Sequence, residues 1–136
     1  LPTEAEWEFA ARGGVLSKQF PYPGSDRIDE VCWFSENSYQ ESKDVGLKLP
    51  NELGLFDMSG NVWEWCQDWF DEGYYEYCAN RNFMSNPLGP KSGSRKIIRG
   101  GSWGSKPHQS RSTSRLSNSP NAKSNTVGFR IVITQD

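Results

Sequence analysis

A nine-residue run rich in tryptophan restricts the possible folds of this chain more than any other feature. Residues 61–69 read Asn-Val-Trp-Glu-Trp-Cys-Gln-Asp-Trp. Because successive side chains of a strand point to opposite faces, this alternation predicts a β-strand. Its two faces carry Val62, Glu64 and Cys66 on one side and Trp63 and Trp65 on the other. We expect both faces to be covered, which places the strand inside the fold.

The core has to be built from a few large rings. Hydrophobic residues make up 35% of the 136 residues, while aromatic residues reach 13%, and the chain holds six Trp and 13 Gly. A chain of this length fits one domain and buries roughly 70% of the surface that it exposes when unfolded. We therefore expect a single compact, loop-rich domain over 1–136 with aromatic side chains in its core.

The charge balance and hydropathy exclude two kinds of partner. Fifteen Lys and Arg against 17 Asp and Glu give a net charge of −2, without the basic footprint that phosphate contacts need, so we expect no nucleic-acid partner. No run approaches the ~20 apolar residues of a membrane span, and we expect no membrane insertion by this chain. The N-terminus has no signal-peptide pattern, and the sequence begins at Leu1 without an initiator Met, so we expect an upstream part. The compartment stays open, with a cell-surface or extracytoplasmic location if that part carries an export signal.

The clearest helix signal stands at the start of the chain. Thr3, followed three residues later by Glu6, forms a capping box, and two glycines at 13–14 provide a stop. These signals predict a helix over about residues 4–12. Residues 28–34 predict one short helical turn.

Two further strands and one long loop are predicted from the second half of the sequence. The stretches 95–99 (Arg-Lys-Ile-Ile-Arg) and 128–134 (Gly-Phe-Arg-Ile-Val-Ile-Thr) are both predicted strands. Between them, 102–127 is rich in Ser, Asn, Lys and Arg and has little periodicity. Its composition predicts a solvated surface loop.

Three cysteines, Cys32, Cys66 and Cys78, leave several states open. Their spacings match no zinc pattern, and at most one internal disulfide can form. Cys66 pairs with Cys32, pairs with Cys78, or stays reduced.

Five ordered sequence blocks stand out: LPTEAEWEFAARGG at 1–14, NELGLFDMSGNVWEW at 51–65, NPLGP at 86–90, RGGSW at 99–103 and GFRIV at 128–132. Together they resemble the sulfatase-modifying factor family, whose domain is that of formylglycine-generating enzymes. The resemblance implies an α+β fold, a variant of the C-type lectin fold that is irregular and loop-rich, with short antiparallel strands and few helices. It covers roughly the C-terminal half of the usual domain.

The resemblance also identifies the positions where catalysis would take place. Formylglycine-generating enzymes bind copper through two cysteines that follow the RGGSW block, and the corresponding positions here are Ser105 and Ser110. A serine hydroxyl is a poor ligand for soft metals, so we expect no copper and no catalytic residues. An iron-dependent sulfoxide synthase, the other enzymatic branch, needs several histidines, and His108 is the only one in this sequence.

The segment 57–64 resembles the family's structural calcium site. Carried over residue by residue, the ligands would be the side chains of Asp57 and Glu64 and the main-chain carbonyls of Gly60 and Val62. Such an anionic oxygen cage suits Ca²⁺. The alternative is that Glu64 is a buried carboxylate satisfied by backbone N–H groups or by an arginine such as Arg99. A second calcium site of the family would fall within 30–45, where its acidic-aromatic pattern is absent.

The segment 103–127 is the candidate binding region, and it begins with the preferred aromatic contact, Trp103. Its polar positions resemble those that retroelements diversify in formylglycine-like C-type lectin domains. The predicted ligand contacts are Trp103, Ser105, Lys106, His108, Gln109, Ser110, Ser112 and Ser114. The aromatic run 74–77 is an alternative sugar-stacking platform, although aromatic clusters in a small domain usually belong to the core.

These observations favour a non-catalytic C-type-lectin-fold module that presents a polar surface from 103–120 to a protein or a glycan, and that retroelements diversify. Two rivals remain. One is a formylglycine-generating-type oxidase or another peptide-modifying enzyme that uses other residues. The other is a structural domain of an envelope or signalling protein that docks one fixed partner.

Overall fold

The computed structural model describes residues 1–81 and 85–133. Three short helices and six short strands form the regular part of this fold. The helices are α1 (Glu4–Ala11), α2 (Ile28–Val31) and α3 (Tyr74–Ala79), and the strands are β1 (Cys32–Trp33), β2 (Ser59–Gly60), β3 (Trp63–Trp69), β4 (Lys96–Arg99), β5 (Arg115–Asn118) and β6 (Val127–Gly128). Two 3₁₀ turns, Gly14–Leu16 and Pro107–Ser110, complete it. None of the helices in these two ranges is long and apolar enough to cross a bilayer.

The tryptophan-rich strand β3 is the centre of a four-stranded sheet with the order β5-β4-β3-β6. It pairs antiparallel with β4 and parallel with β6, and β4 pairs antiparallel with β5. A separate two-stranded sheet pairs β1 and β2 in parallel. The predicted strands at 61–69 and 95–99 are therefore confirmed, and the fold is the expected loop-rich α+β type.

The helix α1 begins with the predicted capping box. Thr3 Oγ1 accepts a hydrogen bond from the Glu6 amide at 3.1 Å, and Glu6 Oε2 accepts one from the Thr3 amide at 2.9 Å. The helix buries Trp7 and Ala11 against Cys66 of β3 and Ile97 of β4. The short helical turn expected at 28–34 is confirmed as α2.

The predicted strand over 128–134 is wrong for most of its length. Only Gly128 belongs to a strand, because β6 pairs with the first two residues of β3 and then loses its partner. Phe129, Ile131 and Ile133 are exposed, and Thr134 lies outside the described residues. The apolar pattern is that of a strand, but a strand also needs a neighbour for its backbone hydrogen bonds.

The prediction of a solvated loop over 102–127 is also wrong for much of the segment. Residues 115–118 form β5, which is hydrogen-bonded to β4 along its whole length. Five serines of this segment are buried: Ser102, Ser105, Ser110, Ser112 and Ser117. Composition cannot separate these serines from solvated ones, since a serine hydroxyl is small enough to be buried when it finds a hydrogen-bond partner.

A buried ion-pair network joins α1 to the sheet. Arg99 of β4 is completely buried, and its guanidinium donates to Glu4, Glu8 and the main-chain oxygen of Ser112. Arg115 of β5 donates two further hydrogen bonds to Glu4, at 2.8 and 2.7 Å. Because the four charges come from three separate elements, this network determines how α1 lies on the sheet.

Replacing Arg99 with methionine tests the network. We expect Arg99→Met to lower the free energy of unfolding by about 3–5 kcal/mol, because it removes the buried guanidinium that pairs with both Glu4 and Glu8 and leaves Glu4 with Arg115 alone. The control Arg12→Met removes an exposed ion pair with Glu8 and should cost about 1 kcal/mol or less. Urea unfolding followed by tryptophan fluorescence measures both. Equal midpoints for the two variants would show that the network adds no stability.

Candidate functional site

The main chain of the candidate binding region is tied to the rest of the fold at several points. The Ser105 carbonyl accepts from the Ser35 amide at 3.0 Å, and the Ser110 carbonyl accepts from the Ser59 hydroxyl at 2.9 Å. The Ser112 amide donates to the Pro21 carbonyl at 3.1 Å. A loop fixed at three places presents its outward side chains in one arrangement.

The predicted contact residues divide into a buried and an accessible set. Ser105, Ser110 and Ser112 are at most 4% exposed and face the interior. Their place in the contact set is therefore corrected, because a ligand cannot reach them without opening the fold. The accessible set consists of exposed Lys106 and His108 and half-buried Trp103, Gln109 and Ser114.

Trp103 is held through its backbone and its indole. Its amide donates to the Asn61 carbonyl at 2.7 Å, its carbonyl accepts from the Ser38 hydroxyl at 2.7 Å, and its Nε1 donates to the Asn125 carbonyl at 3.2 Å. The next residue after Ser38, Tyr39, is 87% exposed. Tyr39 is thus an exposed aromatic side chain on the turn that contacts Trp103. The sequence contained no local signal that joined residues 39 and 103.

The two positions of the family's cysteines lie inside the fold. Ser105 Oγ accepts from the Ser102 amide at 2.9 Å, whereas Ser110 Oγ is buried without a hydrogen-bond partner. The thiol of Cys32 lies beside the hydroxyls of Ser59 and Ser110. Burial raises the pKa of the Cys32 thiol, and the neighbouring hydroxyls lower it only in part, so the thiol stays protonated near neutral pH.

None of the three cysteines forms a disulfide. All of them lie in the described ranges, and Cys32 and Cys66 are buried. Burial also raises the pKa of the Cys66 thiol far above its ordinary value. Of the alternatives for Cys66, the structure shows the reduced one.

All four predicted calcium ligands line one cavity. This cavity measures about 430 Å³, and Asp57, Gly60, Val62 and Glu64 all contribute to its wall. Asp57 Oδ2 accepts from the Gly46 amide at 2.7 Å, but Asp57 Oδ1 is buried without any hydrogen-bond partner. A buried acceptor that lacks a donor is the position where a cation is expected.

Glu64 is the more heavily hydrogen-bonded of the two carboxylates in this cavity. The guanidinium of Arg130 donates to both of its oxygens at 2.7 Å, and Trp7 Nε1 donates to Oε2 at 2.7 Å. The alternative of a carboxylate satisfied by an arginine is thus observed, although the arginine is Arg130; Arg99 contacts Glu4 and Glu8. Glu64 Oε1 has one hydrogen bond and keeps a second acceptor position, so the donor set still fits Ca²⁺.

This donor set depends on main-chain oxygens. Within 1–81 and 85–133, no cluster of three or more His, Cys, Asp or Glu side chains could hold a metal ion by itself. The aromatic run 74–77 forms helix α3 and not a loop, and the rings of Tyr74 and Tyr77 stack on each other with centroids 5.7 Å apart.

The short, curled sheet and the long anchored loops define a C-type-lectin-like fold of the formylglycine-generating type. The chain belongs to the sulfatase-modifying factor family, since the model of the "Sulfatase-modifying factor enzyme 1-like domain" matches residues 1–135. Among solved structures, it is similar to Treponema denticola variable protein 1, with a TM-score of 0.82, 36% identity, and coverage of 95% of this chain and 45% of that chain.

Two curated relatives illustrate the range of proteins that carry this domain. The serine/threonine-protein kinase pkn1 of Chlamydia pneumoniae is 40% identical over 130 residues, which is 96% of this chain and 20% of that protein. The formylglycine-generating enzyme of Streptomyces coelicolor is 35% identical over 146 residues, which is 96% of this chain and 45% of the enzyme. The chain thus spans between a fifth and a half of the relatives it matches.

Proposed function

We propose that this chain is a non-catalytic ligand-binding module. Its binding surface consists of Trp103, Lys106, His108, Gln109 and Ser114. The observation that carries the proposal is that buried serines, Ser105 and Ser110, occupy both positions where the family's enzymes hold their copper-binding cysteines. The segment that carries these two positions has an anchored main chain, but it has no thiol at either of them.

The chemistry of these positions argues against the oxidase. A serine hydroxyl does not ionise near neutral pH and binds soft metals weakly. Cys32 is the thiol beside Ser110, and one thiol cannot supply the two-sulfur ligand set. The enzyme alternative predicts a different result. The chain would convert a cysteine in a sulfatase-like peptide to an aldehyde, which a hydrazide probe detects. Aldehyde formation by the purified chain would overturn the proposal.

The division between buried and accessible residues supports recognition. Anchored loops on a rigid scaffold are a common place for binding residues, because their side chains can vary without disturbing the core. Lys106 and His108 point outward between serines that hold the main chain. Polar, adaptable side chains around one aromatic residue resemble a paratope.

Trp103→Ala tests the surface. We expect this variant to lose about tenfold or more in affinity for its ligands, because a large aromatic side chain at the centre of a site carries much of the binding energy. Its melting temperature should change little, since both backbone hydrogen bonds of residue 103 remain. The matched control Tyr77→Ala, at an exposed aromatic residue of α3, should bind like the wild type.

The measurement applies all three proteins to a glycan array and to a phage-displayed library of random peptides. Binders that wild type and Tyr77→Ala select, and Trp103→Ala does not, support the proposal. If Trp103→Ala unfolds, or if all three proteins select the same binders, Trp103 is not the contact residue and the surface lies elsewhere.

We further propose that the accessible positions are diversified. The name of the Treponema denticola relative describes a variable protein, and in this chain Lys106 and His108 can be exchanged without touching the buried serines. Sequencing this gene region from many isolates should show replacements at the accessible positions of 103–127, with 51–65 unchanged. An invariant 103–127 would favour a domain with one fixed partner.

The cavity at Asp57 supports a structural calcium ion. When bound there, the ion would supply positive charge to Asp57 and Glu64. Asp57 and Glu64, with the carbonyls of Gly60 and Val62, would hold it. Millimolar Ca²⁺ should raise the melting temperature of the wild type by several degrees relative to chelator, because a ligand that binds only the folded state stabilises it.

The variant Asp57→Ala should lose this calcium-dependent rise, whereas Asp26→Ala, which removes an exposed carboxylate elsewhere, should keep it. Differential scanning calorimetry in chelator, in Ca²⁺ and in Mg²⁺ provides the comparison. Identical melting of the wild type in chelator and in Ca²⁺ would eliminate the metal.

A further inference from the structure

The charges of this chain are strongly segregated along the sequence. Residues 91–135 contain nine Lys and Arg and no Asp or Glu. Residues 1–90 contain sixteen Asp and Glu against six Lys and Arg. The net charge of −2 therefore hides an acidic first part and a basic second part.

Some of the basic residues pair with carboxylates inside the fold. Arg99, Arg115 and Arg130 form ion pairs with carboxylates of the first part: Arg99 with Glu4 and Glu8, Arg115 with Glu4, and Arg130 with Glu64. These contacts explain three of the nine basic residues. They do not explain the basic residues at the surface.

Two of the six remaining basic residues, Lys106 and Arg111, flank the 3₁₀ turn Pro107–Ser110. They are exposed, as is His108 within the turn, while Ser105 before the turn and Ser110 at its end are buried. The run 106–111 can extend over about 20 Å at most, so these side chains share one small area. In the described part of the chain, none of the three forms a salt bridge, in contrast to Arg12, Arg27 and Lys43.

The carboxylates of the adjoining loops do not pair with these cations. The loop that donates from the Ser35 amide to the Ser105 carbonyl carries exposed Glu36 and Asp44, and the loop whose Pro21 carbonyl accepts from the Ser112 amide carries exposed Asp26. Glu41 pairs with Lys43. Within 1–81 and 85–133, Lys106 and Arg111 have no carboxylate at salt-bridge distance, so both are available to a ligand.

We infer that the ligand of this surface is an acidic segment of a protein, whose Asp and Glu side chains contact Lys106 and Arg111 while Trp103 provides an apolar contact. The inference rests on the proposed binding function and gives its ligand a chemical class. Arginine forms two-point hydrogen bonds with carboxylates, and opposite charges speed association and select the partner.

A short acidic segment fits better than a long polyanion. A long polyanion would meet the exposed carboxylates Asp26, Glu36 and Asp44 of the adjoining loops, which repel it. It would also find few cations, because tight binding of a phosphate or sulfate polymer uses many Lys and Arg contacts. A protein segment needs to place only two or three carboxylates.

The peptide library described above tests the ligand class. Peptides that depend on Trp103 should contain Asp and Glu at about twice their frequency in the unselected library or more. For the strongest peptide, the double variant Lys106→Glu/Arg111→Glu should weaken binding about tenfold or more at low salt. The matched control Lys18→Glu/Lys91→Glu changes the net charge equally at exposed sites elsewhere, and it should weaken binding less than about threefold.

The outcomes separate this inference from the proposed function. Trp103-dependent peptides without an excess of acidic residues would overturn the acidic ligand and leave the binding module intact. Equal losses in the two double variants would also overturn it, because only net charge would then matter. A sulfated decasaccharide that binds in a Trp103-dependent way, where acidic peptides do not, would replace the protein ligand with a glycan. Absence of any Trp103-dependent binder would overturn both proposals.

Discussion

The rest of the structure depends on one buried guanidinium. Arg99 lies at the end of β4 with no exposed surface, and it contacts two carboxylates of α1 and the main-chain oxygen of Ser112. A buried charge without partners is costly, so the fold is restricted to arrangements that bring all these oxygens together. The same arginine thereby fixes the helix on the sheet and holds the main chain of the binding region at Ser112. Its guanidinium also lies over the ring of Trp7, the largest fully buried side chain.

Local signals allowed much of the fold to be predicted, and long-range pairing limited the rest. The Thr3 capping box and the alternation of β3 depend on neighbouring residues, and both were predicted correctly. The strand over 128–134 was not, because its pairing with β3 ends at Gly128, opposite Glu64. The ion pair of Glu64 shows the same limit. The expected arginine contact is formed by Arg130, which lies 66 residues farther along the chain, and no local sequence pattern specifies a pair that far apart.

The location of the candidate site could be predicted from the sequence, but only some of its residues could. The four cavity residues come together because they lie within one eight-residue stretch, from the loop residue Asp57 to Glu64 of β3. In the 103–127 segment, serines that face inward and serines that face outward have the same chemistry, so sequence alone placed Ser105, Ser110 and Ser112 on the surface. The distinction arises from main-chain contacts with Ser35, Ser59 and Pro21, which belong to distant parts of the chain.

The position of Cys32 beside Ser110 limits how this domain can be engineered. The substitution Ser110→Cys would place a second sulfur next to the buried thiol of Cys32. Two neighbouring thiols can be oxidised to a disulfide where their geometry allows it. A cysteine pair at residues 105 and 110 would therefore have a third sulfur beside it, and Cys32 has to be replaced along with the two serines if the new pair is to stay free.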